Sequence, residues 1–112
     1  MKKLVTILSA LIVVCAASAA PWKVYKGQTI GVSVQEGPQV VGTALGILEK
    51  DFANVLDASF RSCDASQADI VIRTVGKGPR EGFSIEVSSG KLIIEGSDPH
   101  GTAYGILEVS RL

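Results

Sequence analysis

The residues whose types and spacing could do chemistry sit mostly in the last third of the chain, in the stretch EGFSIEVSSGKLIIEGSDPHGTAYGILEVSRL. Glu86 and Glu95 fall on two short runs, 83–88 and 91–96, that read as the arms of a hairpin. Paired carboxylates across a scissile bond run glycoside hydrolysis. On an open hairpin with no sign of a pocket, these two read as surface charges instead. Asp98 as a catalytic acid has the same weakness. It precedes Pro99 and a helical pattern, so a capping role explains it. His100 is the only histidine, and neither a metal site nor a histidine relay has a Cys or Asp spaced to complete it. The turn Gly76-Lys77-Gly78-Pro79-Arg80-Glu81-Gly82 lacks the Lys-Ser/Thr of a phosphate loop, misses the dinucleotide spacing, and leads into a strand rather than a helix. No catalytic, cofactor-binding or metal-binding residue is expected from these patterns.

The elements that position these groups follow from periodicity. Formal net charge is zero, and aromatic residues are 5% of the chain, which points away from nucleic acid. Lys2-Lys3, the apolar run Leu4 to Val14 and Ala17-Ser18-Ala19 read as a secretory signal peptide over residues 1–19. That run is shorter than the roughly 20 residues a spanning helix needs. The expected destination is therefore the periplasm or the medium, with no membrane partner after cleavage. Val13-Val14 before Cys15 lacks the small residue that lipoprotein processing prefers. Cys63 would then be the one remaining cysteine, read as a buried, inert thiol. Residues 20–27 read as a loose lead-in, in which Trp22 is better explained by packing than by sugar stacking.

Residues 28–112 read as one α/β domain. Thr29 to Val34 alternates as a strand, and Gly37-Pro38 breaks it. A helix follows over Gln39 to Leu56, with Val41, Leu45, Leu48, Phe52 and Val55 as its core stripe. A short strand is expected within Ala58 to Cys63, and a buried one over Asp69 to Val75. Strand, helix, strand is a right-handed crossover unit, which makes 30–34 and 70–75 parallel neighbours. Phe83–Ser88 and Lys91–Gly96 form a hairpin through Ser89-Gly90. From Gly101 the pattern is helical, with Ala103, Ile106, Leu107 and Ser110 on one side. Gly42 with Gly46, and Gly101 with Gly105, repeat a spacing of four, as if two helices approached closely over a sheet. The expected class is α+β, α/β-like: a mixed four- to five-stranded sheet with two helices on one face. The other face is left bare and in need of a partner.

The run Leu92 to Leu107, with Gly96, Ser97, Asp98, Gly101, Thr102, Tyr104, Gly105 and Ile106 matching, resembles the L-x-I-x-G-S-D-x-R-G-T-x-Y-G-I segment near the start of bacterial xylan α-1,2-glucuronidases, glycoside hydrolase family 115. His100 stands where that family has Arg or Lys. The strand Ala68 to Ile72 and the arm Phe83 to Val87 also fit. A looser strand–GxxYG–helix form occurs in the N-terminal domains of β-hexosaminidases and related α-glucuronidases. The resemblance implies an α/β domain that precedes a (β/α)₈ barrel bearing the catalytic carboxylates, so no catalytic residue carries over to this chain. It also implies that Gly96, Ser97, Asp98, Gly101, Thr102, Tyr104 and Gly105 form a structural motif, with Tyr104 at the boundary with the barrel. The chain stops inside an apparent helix, at Arg111-Leu112, as an amino-terminal fragment would. Two readings follow: a non-catalytic scaffold domain of a secreted xylan-degrading hydrolase, inactive alone, or a stand-alone secreted module that binds polysaccharide or protein.

Overall fold

The computed structural model describes residues 12–14, 22–35 and 39–111. The expected helix-starting Gly37-Pro38 and most of the expected signal peptide lie outside them. A short strand β1 (Ile12–Val14) pairs antiparallel with β2 (Trp22–Val24) as a separate two-stranded ribbon. Trp22–Val24 is therefore ordered strand, not a loose lead-in. Trp22 and Val24 alternate with exposed Lys23 and are buried in the main core, which gives Trp22 the packing role.

The domain is an α+β layer built on a five-stranded mixed sheet. In chain order its elements are β3 (Thr29–Val34), α1 (Gln39–Leu56), β4 (Ser59–Ser62), β5 (Ile70–Thr74), β6 (Phe83–Ser88), β7 (Lys91–Gly96) and α2 (Pro99–Arg111). The spatial order is β4-β3-β5-β7-β6. The first four of these run parallel, and β6 is antiparallel to β7. The parallel pairing of β3 with β5 is as the periodicity predicts, but the helix α1 leads first into β4, which pairs parallel to β3 on the other side. At the hairpin, Ser89 and Gly90 have φ of 54° and 78°, the pair of left-handed residues that a tight two-residue turn requires.

Both helices lie on one face. Phe52 of α1 stacks edge-on against Phe60 of β4 at 5.5 Å. On α2, a Cβ placed at Gly105 would sit 2.8 Å from Cγ2 of Ile94 on β7. Between the layers lie Ile30, Val32, Ile70, Ile72, Leu92 and Ile94 from the strands, and Val41, Leu48, Phe52, Ile106 and Val109 from the helices. Among the described residues, no helix is long and apolar enough to cross a membrane.

Three expectations are corrected. The core stripe of α1 is Val41, Ala44, Leu48, Phe52 and Leu56, with Leu45 half-buried and Val55 65% exposed. Leu56 takes the inward position at the end of the helix, and Val55 beside it is left exposed. Gly42 and Gly46 are exposed, and an added Cβ at either meets open space, so they are not a helix-packing notch. The face of the sheet away from the helices, expected to be bare, is bare only in part. Arg73 pairs with Glu95 there at 2.7 Å, and Val71 is buried.

Part of that face is covered by the chain itself. β4 and β5 flank β3 on opposite sides, so the link between them, 63–69 with a 3₁₀ turn at Ala65–Gln67, must cross β3. It crosses at Gly31, where a Cβ would lie 2.9 Å from Cys63 Sγ and 3.2 Å from the Gln67 carbonyl. The Gly31 N–H donates to Asp69 Oδ2 at 2.9 Å, and the Asp69 N–H returns to the Gly31 carbonyl at 2.8 Å. Lys91 Nζ donates to the Ala68 carbonyl at 2.7 Å and ties the far end of the link to β7. Cys63, at the start of this link, is half-buried and not buried as expected.

Candidate functional site

The motif residues converge at the strand-to-helix junction between β7 and α2. Gly96 ends β7 fully buried. A Cβ there would run into the backbone and hydroxyl of Thr102, so only glycine lets the first turn of α2 close back over the strand. Thr102 is 1% exposed. Its hydroxyl lies 2.6 Å from the Thr74 hydroxyl and 3.1 Å from the Asp98 carbonyl, which satisfies a polar group in an otherwise apolar layer.

Asp98 works in two directions. Its Oδ1 accepts from the Gly101 N–H at 2.8 Å, the capping bond expected at a helix start. Its Oδ2 accepts from the Glu81 N–H at 2.9 Å and so holds the 75–82 loop. Glu81 has φ of 56°, a left-handed conformation that the bond helps to hold. These two backbone hydrogen bonds, to Glu81 first and Gly101 second, hold the Asp98 carboxyl below the usual aspartate range, with His100 and Arg80 adding to the effect.

Ser97 completes the clasp. Its Oγ accepts from the Gly82 N–H at 3.0 Å and faces the Pro79 and Gly82 carbonyls as donor. The Ser97 N–H donates to the Gly82 carbonyl at 2.8 Å. Gly101 packs directly on Gly82 and Glu81: an added Cβ would collide with the Gly82 carbonyl. Gly105, one turn on, sits against Ile94 and Phe83. The glycine pair of α2 thus presses on the sheet and its loop, not on α1. Tyr104 points outward at 44% exposure.

The structure brings Gly96, Ser97, Asp98, Gly101, Thr102 and Gly105 into one knot, with Tyr104 on its outer side. The supposed phosphate loop is spoken for, since the Glu81 and Gly82 amides are taken by Asp98, Ser97 and Pro79. Glu95 is engaged by Arg73, and His100 is exposed. An open groove of about 250 Å³ runs beneath the loop along Val75, Lys77, Pro79, Ser84, Glu95 and Ser97. Its single carboxylate offers no acid–base pair. Among the described residues, no group of three or more His, Cys, Asp or Glu is placed to hold a metal.

Sequence reasoning missed the Gly31–Asp69 exchange and the Thr74–Thr102 pair. The available signal was a lone glycine in an alternating strand, which marks a close backbone approach. Gln35 was missed as well. Its Oε1 accepts from the Thr74 N–H at 2.8 Å and extends the network across the strand ends.

Comparison with known proteins fits this arrangement. A solved structure of a family GH115 4-O-methyl-α-glucuronidase with specificity for decorated arabinogalactans matches with a TM-score of 0.68 and 33% identity. The match covers 79% of this chain and 14% of that one. The β-N-acetylhexosaminidase from Bacteroides fragilis NCTC 9343 matches with a TM-score of 0.59 and 20% identity, over 75% of this chain and 16% of that one. The second likeness shows the fold alone. No protein-family profile and no curated protein matches the chain.

Proposed function

From a chain that resembles, in sequence and fold, the N-terminal α/β domain of family 115 α-glucuronidases, we propose that this is the non-catalytic domain of a secreted glycoside hydrolase. The carrying observation is the 33% identity over 79% of the chain. The chain spans 14% and 16% of its two structural neighbours, so the chemistry of such an enzyme is assigned to a catalytic (β/α)₈ barrel elsewhere in the parent polypeptide. In this reading residues 1–19 are a cleaved leader, whose removal takes β1 from the mature chain, and the parent works outside the cytoplasm. Its substrate class is a polysaccharide bearing α-linked glucuronic or 4-O-methylglucuronic acid. Glucuronoxylan is the proposed backbone, and decorated arabinogalactan is the competitor suggested by the neighbour. The domain supports the barrel and supplies no reacting group, a reading supported by Asp98 and Glu95, whose carboxylates are engaged by backbone N–H groups and by Arg73.

The test is genetic and enzymatic. An open frame continuing past Leu112 into a barrel, together with no uronic acid released from glucuronoxylan by the 112-residue chain, is the expected result. A stop codon directly after Leu112 would favour a stand-alone binding module. Hydrolysis by the 112-residue chain itself would overturn the non-catalytic assignment.

A further inference from the structure

We draw no further inference here: the strongest candidate, the open groove beneath the 75–82 loop at the carboxyl ends of β5 and β7, carries none, because its Ser97 hydroxyl and Glu95 carboxylate are already engaged by the loop backbone and by Arg73, and nothing in the structure shows what covers the exposed Val75 and Phe83 that line it.

Discussion

Alanine at Gly101 and at Gly46 should have effects of opposite sign, although both are helical glycines. Either change gains the intrinsic preference of alanine over glycine in a helix, about 1 kcal/mol. At Gly46 the new methyl meets nothing within 4 Å, so that gain stands. At Gly101 the methyl would overlap the Gly82 carbonyl and crowd the Glu81 carbonyl carbon, both backbone atoms held by the Ser97–Asp98 clasp. Backbone fixed in this way cannot step aside as a side chain can. The overpacking penalty then lies at the upper end of the usual range of about 1–3 kcal/mol or beyond it. The net expectation is a loss of about 1–2 kcal/mol or more for Gly101→Ala, against a gain of about 1 kcal/mol for Gly46→Ala. In a domain of this size each kcal/mol moves the melting temperature by roughly 4–8 °C. Urea titrations of the wild-type chain and the two variants, with thermal melts beside them, read both signs. A Gly101→Ala variant as stable as wild type would refute the claim that α2 is notched onto the loop. Destabilisation by Gly46→Ala would restore the helix–helix notch that the structure rejects.

Other outcomes follow from the same contacts. Because its two backbone hydrogen bonds hold the Asp98 carboxyl below the ordinary aspartate range near 4, its contribution is present above that value and is lost as pH falls through the lowered folded pKa. Unfolding measured from pH 6 to pH 2 should therefore steepen at the acid end, and Asp98→Asn should remove that part of the slope. Gly31→Ala should destabilise the chain by about 1–3 kcal/mol, because the strap crosses there. Cys63→Ala should return part of that loss by removing the sulfur nearest the new methyl, as a double-mutant cycle would show. Thr102→Val should cost about 1–2 kcal/mol in urea titration, since it leaves the Thr74 hydroxyl without its 2.6 Å partner.

Much of the fold was legible because it rests on local periodicity. The 3.6-residue pattern over 39–56, the alternation in 83–88 and the Ser-Gly turn each answer to one physical rule, and the structure places those elements at the same residues. The cap at Asp98 was legible for the same reason. What failed required knowledge of which strands are neighbours. Nothing along the chain tells Gly101, pressed on a loop, from Gly42 and Gly46, which face open space. Spacing by four identifies a shared helical face and does not say what lies opposite. Spacing also misled at Val55, which fits the inward stripe by angle yet is 65% exposed while Leu56 beside it is buried. The second hydrogen bond of Asp98, to Glu81, joins residues 17 apart and became visible only when the loop was seen folded back on the junction.

The central claim is that this layer belongs to a secreted hydrolase that removes glucuronic acid side chains. The direct measurement is to isolate the native protein from outside the producing cell with an antibody raised against residues 28–112, and to assay it on polysaccharide bearing 4-O-methylglucuronic acid. The account predicts a polypeptide several times larger than 11.7 kDa that releases the uronic acid. A short, inactive polypeptide in that fraction, or a large one that leaves the uronic acid in place, would contradict it.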